Sequence, residues 1–517
     1  SSLILQPSLS GKVLFLTICA AGIGGTFQYG YNISIISAPT TYIQTFINET
    51  WLERTGASLE SDVILLVWSF IVSVYSLGGL TGALIAGPMA IKLGRKTSLL
   101  LNNAFVIIAA VLSGFSRMAK SFEMIMLGRF FTGINAGVSM NIQPMYLGES
   151  APKKVRGAVA LTSASFTALG LVLGQVVGIR ELLGGEESWP LLLASNVVPG
   201  LIQLITLPWL PESPRYLLID RGDKESCICA LQKLRGNGDL SSELEEMLAE
   251  QAAIKGQRAK SPWELFQNPS VRWQLISIIV LSSAMQLCGN DSMYFYASYV
   301  FQEAGIPYDK IQYVIIGTGC CELITAVTCV RISNAICLCE QTPLMYNSSP
   351  VQLACLSGVT GVLPTEIFDQ MSRPAAYMIC GSLIWSNLFT VGMAFPFIVV
   401  GLEAGTIIYR FLVLLTSATF RSSQFVSAPL YMSGFFFPRQ RGRPSWKSPM
   451  SSKSATSKLR HVRSFGKALR KSNPLCYSLG ISKGGWWLEN ILRCFSFFVG
   501  VETEEVGARE KMLVLAV

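Results

Sequence analysis

The stretch Pro211-Glu-Ser-Pro-Arg-Tyr-Leu217 divides the chain into two unlike parts. Six long apolar segments precede it, and a charged stretch follows it as far as about Arg272. Prolines end helices and charged side chains need water, so the heptad is typical of a membrane helix that enters the cytoplasm. We therefore predict that it marks the exit of the sixth apolar segment from the membrane.

Composition supports a membrane protein. Half of the 517 residues are hydrophobic, 14% are charged, and the mean hydropathy is +0.44. An apolar run of about 20 residues spans the hydrocarbon core of a bilayer. We predict an all-α polytopic membrane protein and no enzyme, because the chain has no nucleophile–base set. The predicted spans are 13–38, 63–91, 98–116, 122–147, 158–179, 189–210, 273–301, 311–330, 374–400 and 402–420, with a shorter segment at 351–363.

The net charge of +9 belongs to the C-terminal tail. From Arg421 onward there are 16 Lys and Arg against 5 Asp and Glu, which leaves 25 basic (41 − 16) and 27 acidic (32 − 5) residues before it. We therefore predict no nucleic-acid binding. The single histidine, His461, lies in this tail, and no Cys-x-x-Cys pair occurs. We expect no metal site, no disulfide and no cofactor, and the absence of a phosphate-binding loop argues against ATP.

Basic loops predict the orientation. Lys92–Lys96 and Lys153–Arg156 lie in short loops on one side, and basic residues accumulate on the cytoplasmic side. We expect a cytoplasmic N-terminus, a cytoplasmic linker with a surface helix at 241–253, and residence in the plasma membrane. Asn48 then lies outside the cell in an Asn-Glu-Thr glycosylation acceptor.

Three further motifs carry charges near predicted helix ends. Gly94-Arg95-Lys96 forms a tight turn, Arg129 lies near the start of the fourth span, and Glu149 closes that span shortly before Arg156. Glu149 and Arg156 lie where the inner leaflet meets water. This position suits ion pairs that hold one conformation closed and break in each cycle.

These motifs, with Glu212 and Arg215 of the heptad, resemble the sugar porters of the major facilitator superfamily in wording and order. The resemblance runs from about residue 12 to 330 and returns at 358–420, where Glu366 and Arg373 belong to a further motif. Within that family the chain resembles the class II facilitative hexose transporters of glucose and fructose. The resemblance implies two six-helix bundles in membrane lipid around a central cavity, and hexose transport by alternating access.

The resemblance also implies a sugar path. Asp291 and Glu322 stand where the family usually has amides, and three readings stay open: sugar binding by carboxylates, a proton-linked cycle, or carboxylates in a wet vestibule without a special role. The residues implied to bind sugar are Tyr29, Gln175, Gln286, Asn290, Asp291, Glu322 and Gly361, and those implied to form a gate are Tyr294 and Phe295.

The chain departs from its family after Val330. The expected loop after helix eight is missing, and too few residues remain for a complete helix nine, so we expect an incomplete second bundle. Residues 440–449 match the usual family ending read one frame off, which suggests a frameshifted, alternatively spliced or mispredicted C-terminus. The alternative function is a non-transporting membrane protein, a sensor or a degenerate form. The predicted domains are a first bundle at 1–210, a linker at 211–271, a second bundle at 272–420 and a basic, disordered tail at 421–517; the sequence gives no signal for oligomeric state.

Overall fold

The computed structural model describes residues 9–152, 155–236, 240–254, 260–268, 271–287, 290–303, 305–307, 310–338, 364 and 367–401. The regular elements of these ranges are all helical, which confirms the predicted all-α class. In chain order the helices are α1 (Leu9–Ile23), α2 (Thr26–Ser34), α3 (Thr40–Thr55), α4 (Ser61–Leu93), α5 (Arg95–Phe115), α6 (Phe122–Ser150), α7 (Arg156–Val177), α8 (Trp189–Ala194), α9 (Val197–Thr206), α10 (Lys224–Arg235), α11 (Ser241–Ile254), α12 (Pro262–Gln267), α13 (Arg272–Leu287), α14 (Asn290–Phe295), α15 (Ala297–Glu303), α16 (Ile311–Leu338) and α17 (Arg373–Gly401).

Seven segments of the described chain are long and apolar enough to cross a membrane. Their bounds are Lys12–Ser34, Ser61–Leu93, Arg95–Phe115, Arg156–Val177, Trp189–Trp209, Ile311–Thr328 and Arg373–Ala394. The predicted spans at 351–363 and 402–420 and the tail at 421–517 lie outside the described residues. The described residues all belong to one compact unit, so the predicted domain boundaries stay predictions.

The first and sixth predicted spans are broken helices. Residues 13–38 were expected as one helix, but the chain leaves helical geometry at Gly24–Gly25 between α1 and α2. Residues 189–210 divide at Ser195–Asn196 into α8 and α9, followed by a 3₁₀ turn at Leu207–Trp209. Both segments are still long and apolar enough to cross a membrane, which confirms the predicted spans. The sequence did not show the breaks, because a hydropathy run reports composition and not backbone continuity.

Helix α6 is long but more polar than its neighbours, because it lies inside the first half between α4, α5 and α7. Asn102 on α5 donates hydrogen bonds to the Asn135 carbonyl at 2.9 Å and to the Ser139 hydroxyl at 3.0 Å. Gly133 brings α6 against α4, since a Cβ there would collide with the Tyr75 carbonyl. Small residues allow such backbone contact in membrane bundles.

Several pairs of helices join the two halves. Helix α4 packs against α17, α7 packs against α16, and α2 contacts α14. The linker forms α10, α11 and α12, and α11 confirms the surface helix expected at 241–253. The polar side chains described below lie along these junctions between halves.

Candidate functional site

A hydrogen bond joins the two halves at the centre of the molecule. The Tyr29 hydroxyl on α2 donates to a carboxylate oxygen of Asp291 on α14 at 2.8 Å. The Gln286 amide on α13 donates to the same oxygen at 3.1 Å. Tyr29 and Gln286 are buried, and Asp291 is half-buried. The sugar-path residues implied for helices one and seven therefore do come together.

The second carboxylate lies beside the aromatic pair expected to form a gate. The Tyr294 hydroxyl donates to Glu322 on α16, and Phe295 is buried with 1% of its surface exposed. In the described part of this span, α14 ends at Phe295 and α15 begins at Ala297, and such an interruption is typical of discontinuous helices at transporter binding sites. We call Tyr29, Gln286, Asp291, Tyr294 and Glu322 the central cluster.

Trp385 on α17 covers one side of this cluster, and sequence reasoning missed it. Its ring meets the Tyr29 ring edge-on with centroids 5.6 Å apart, and the Tyr75 ring with centroids 5.4 Å apart. A Cβ on Gly79 would collide with the indole, so this glycine makes room for it. The sequence signal that could have identified Trp385 is a large aromatic residue within the predicted span 374–400.

Arg129 is a buried cation beside this aromatic group. Its guanidinium lies over the Tyr75 ring at 4.5 Å and donates to the Asn32 carbonyl at 2.9 Å. Among the described residues, its Nε and Nη2 atoms have no hydrogen-bond partner. The motif residue predicted near the start of the fourth span is therefore a structural part of the first-half interior.

Gln175 lies apart from the central cluster. It is 7% exposed, and neither its amide nitrogen nor its carbonyl oxygen has a partner among the described residues. It faces a cavity of about 170 Å³ between the ends of α2, α7, α15 and α16, which we call the outer cavity. The outer cavity is lined by Ser34, Ser37, Ala38, Thr40, Thr41, Gln44, Gln175, Gly178, Arg180, Ser298, Gln302, Ile311, Gln312 and Ile315.

Three predicted site positions have no described side chain. The Asn290 backbone is described as the first residue of α14, but its side chain is not. Gly361 and Glu366 lie outside the described residues. Their assigned roles stay predictions.

A buried ionic network closes the opposite end of the molecule. Glu149, at the end of α6, accepts from Arg95 at 3.0 Å and from the Ser213 hydroxyl at 2.5 Å. From the second half, it accepts from Gln370 at 3.0 Å and pairs with Arg373 at 3.7 Å. We call these five residues the Glu149 network. The Glu149 side chain is 0% exposed, so its charge is compensated by protein alone.

The heptad and the α4–α5 turn support this network. Arg95 also pairs with Asp220 at 2.8 Å, and its guanidinium lies 4.7 Å from the centre of the Tyr216 ring. Gly94 has φ +92°, and a Cβ there would lie 2.7 Å from a Glu212 carboxylate oxygen. The heptad therefore packs directly onto the turn that the sequence predicted.

Glu212 caps the start of α5. Its carboxylate accepts from the Lys96 backbone N–H at 3.0 Å and from its neighbour Ser213 at 2.9 Å. Burial raises the pKa of Glu212, and these backbone hydrogen bonds offset the effect only in part. The cap ties the linker to the first half.

Arg215 of the heptad holds the linker. Arg215 pairs with Glu250 on α11 at 2.5 Å and with Glu246 at 3.7 Å. Arg156 is half-buried at the start of α7. The ion pairs of Glu149 described above are with Arg95 and Arg373, so a role for Arg156 in that lock stays a prediction. Among the residues that sequence reasoning missed are Ser213, Asp220, Glu250, Gln370 and Trp385.

The predicted glycosylation acceptor lies on α3. The Asn48 side-chain Oδ1 accepts from the Leu59 backbone N–H at 3.0 Å, and this side chain is half-buried. Thr50 of the acceptor is 3% exposed. Modification at Asn48 stays a prediction.

Comparisons with known proteins agree on the family. The sequence profile described as "Sugar (and other) transporter" matches residues 16–336. The chain is 55% identical over 487 residues to solute carrier family 2, facilitated glucose transporter member 11 of Homo sapiens, a match that covers 86% of this chain and 98% of the relative. It is 41% identical over 424 residues to facilitated glucose transporter member 5 of Ovis aries, covering 76% of this chain and 85% of the relative.

Solved structures support the fold. The structure of the proton:xylose symporter XylE bound to 6-bromo-6-deoxy-D-glucose matches with a TM-score of 0.65 and 20% sequence identity, covering 80% of this chain and 96% of that chain. An inward-open structure of the xylose transporter XylE from E. coli matches with a TM-score of 0.57 and 19% identity, covering 83% and 98%. These similarities confirm the fold expected of the major facilitator superfamily.

Proposed function

The chain belongs to the sugar transporter family of the major facilitator superfamily, and we propose from this that it carries glucose or fructose across a membrane by facilitated diffusion. The relatives named above are facilitated glucose transporters, at 55% and 41% identity. The observation that carries the proposal is the cross-half bond between Tyr29 and Asp291. This bond lies between the end closed by the Glu149 network and the outer cavity. A carrier that exposes one binding site to each side in turn needs that site between its two ends.

The central cluster has the chemistry that a sugar needs. Asp291 and Glu322 accept hydrogen bonds from sugar hydroxyls, and Gln286 both donates and accepts. The rings of Tyr29 and Trp385 supply apolar faces for the C–H surface of a sugar ring. Of the three readings open for the carboxylates, direct sugar binding has the most support, since both already accept tyrosine hydroxyls in the manner of a sugar hydroxyl.

The ends of the molecule support alternating access. The Glu149 network joins the halves at one end, and the outer cavity lies between the halves at the other. We propose that the network end is cytoplasmic, because the basic residues Lys92 and Lys96 lie there. The described conformation then faces outward, the N-terminus is cytoplasmic, and the protein resides in the plasma membrane.

Uptake of radiolabelled glucose and fructose into proteoliposomes tests the proposal. We expect saturable uptake of the D-sugar, no uptake of L-glucose and no requirement for ATP. Asp291→Ala should reduce uptake at least tenfold, because one carboxylate and its bond to Tyr29 are lost. The matched control Asp62→Ala removes an exposed carboxylate at the start of α4 and should leave uptake unchanged.

Two outcomes would contradict this account. Flux no higher than that of empty liposomes would reject transport and favour the non-transporting alternative. Uptake that is unchanged in Asp291→Ala would remove the central cluster from the sugar path.

A separate measurement tests the proton-linked reading of Asp291 and Glu322. Uptake that does not respond to pH between acid and neutral medium would reject that reading.

A further inference from the structure

We propose that the outer cavity is a second docking site for a single hexose, separate from the central cluster. This inference rests on the proposed function, because it places the site on the outer part of the same sugar path. The cavity has about 170 Å³, which equals roughly six waters at about 30 Å³ each. That volume suits one monosaccharide ring.

Gln175 gives the strongest reason to expect a polar ligand. Its side chain is nine-tenths buried, and both amide atoms lack partners among the described residues. A buried amide without hydrogen bonds costs free energy, so such groups are nearly always satisfied by protein, water or ligand. Gln175 also lies against Gly319 of α16, at the junction of the halves.

The hydroxyl groups of the cavity complement this amide. Ser34 donates its proton to the Tyr31 carbonyl at 3.0 Å, Ser37 donates to the Ser34 carbonyl at 3.0 Å, and Thr40 donates to the Ser37 carbonyl at 2.8 Å. Their oxygens therefore remain as acceptors, whereas the Gln175 amide adds two donors and an acceptor. A ligand that both donates and accepts many hydrogen bonds, such as a polyol, fits this arrangement.

The lining also indicates what the cavity does not select. The described lining residues include no acidic side chain and no aromatic ring, so they offer neither a carboxylate for an ammonium group nor a face for ring stacking. Arg180 is the cation among the described lining residues, and its backbone N–H donates to the Gln312 side-chain oxygen at 3.4 Å. We therefore infer weak binding of a neutral sugar, held by hydrogen bonds alone.

The outer cavity precedes the central cluster on the path from outside. The Ser298 hydroxyl on α15 donates to the Ser37 carbonyl at 3.4 Å, which links the halves at this end. Helix α15 follows directly after the gate residues on α14. A hexose would dock here first and then pass the gate to the central cluster.

Cysteine protection in proteoliposomes tests the site. Thr41 lines the cavity, whereas Thr45, one turn further along α3, does not, and both are exposed. We would measure the rate at which a membrane-impermeant maleimide modifies Thr41→Cys and Thr45→Cys, each corrected for the parent protein, with and without D-glucose or D-fructose. We expect sugar to slow modification of Thr41→Cys several-fold and to leave Thr45→Cys unaffected.

Two second-site changes identify the source of protection. Gln175→Leu should abolish protection of Thr41→Cys, whereas Asp291→Ala, which disables the central cluster, should preserve it. Glu322→Gln serves as a second central change in case Asp291→Ala does not fold. Protection that survives Gln175→Leu but disappears with both central changes would overturn the outer site.

Parallel uptake measurements separate the two proposals. Absence of protection in a protein that transports hexose would overturn the outer site alone. Absence of both protection and transport would overturn the outer site together with the proposed function.

Discussion

Glu149→Gln should open the end of the molecule that the Glu149 network closes. The change removes one buried negative charge and leaves Arg95 and Arg373 without their shared carboxylate. Because these partners come from different halves, the cost falls on the conformation in which the halves meet. We therefore expect the equilibrium to move toward the inward-open state.

The magnitude follows from burial. The Arg373 and Glu149 side chains, which pair across the two halves, are 6% and 0% exposed, and removing one partner of a buried pair costs about 3–5 kcal/mol. Glutamine retains part of the hydrogen bonding, so we take about 3 kcal/mol, which shifts the equilibrium about a hundredfold at ~1.4 kcal/mol per tenfold. Uptake should fall at least about tenfold, since a carrier held open at one end completes few cycles.

The assay combines uptake with a distance measurement. Spin labels at Lys92→Cys and Asp369→Cys lie on exposed positions of the two halves near the network, and Glu149→Gln should lengthen the distance between them. The control Glu123→Gln removes an ion pair to Arg54 that is as short as 2.5 Å but 41% and 47% exposed. Exposed pairs contribute about 0–1 kcal/mol, so this control should change neither readout. Unchanged distances and uptake in Glu149→Gln would refute the reasoning.

Three further changes test other parts of the account. Gly94→Ala should lower the melting temperature of the purified protein, since φ is +92° and the new Cβ would lie 2.8 Å from the Tyr216 ring and 2.7 Å from Glu212; a wild-type melting temperature would contradict this. Burial raises the pKa of Glu212, so protonation of this carboxyl favours the folded state. The stability gained from the protonated carboxyl is full below pH 4.5, the ordinary pKa of glutamate, and is lost as the pH rises through the raised pKa. Glu212→Gln should therefore be more stable than wild type at neutral pH, with the difference shrinking on acidification; a difference independent of pH would exclude Glu212 as the titrating group. Asn48→Gln should abolish a glycan-dependent mass shift in protein made in a eukaryotic cell, whereas a shift that persists would place the glycan elsewhere.

The long helices were predictable because hydropathy alone determines them. The predicted spans 63–91 and 374–400 agree with Ser61–Leu93 and Arg373–Gly401 to within two residues. The breaks in the first and sixth spans were not predicted, because apolar composition is the same on both sides of each break. The pair Gly24–Gly25 was visible in the sequence, but whether glycine bends a helix or lets it pack depends on its neighbours.

The candidate site was predictable where a local motif carries it. Tyr29 and Asp291, named by resemblance alone, lie within hydrogen-bonding distance across the two halves. Trp385 and Gln370 were missed, because their contacts arise only when the second half packs against α4 and α6. Gln175, which the resemblance grouped with the sugar-binding residues, lies apart from the central cluster at the outer cavity, and its role in sugar binding stays a prediction.

The central claim is that one hexose site is exposed to the two sides of the membrane in turn. Equilibrium counterflow tests it most directly: proteoliposomes are loaded with unlabelled glucose or fructose, and a trace of the labelled sugar is added outside. Alternating access predicts a transient accumulation of label inside above its equilibrium level, because the carrier returns loaded with unlabelled sugar, and Asp291→Ala should reduce it. Label that rises only to equilibrium without an overshoot, or that does not enter at all, would contradict the account.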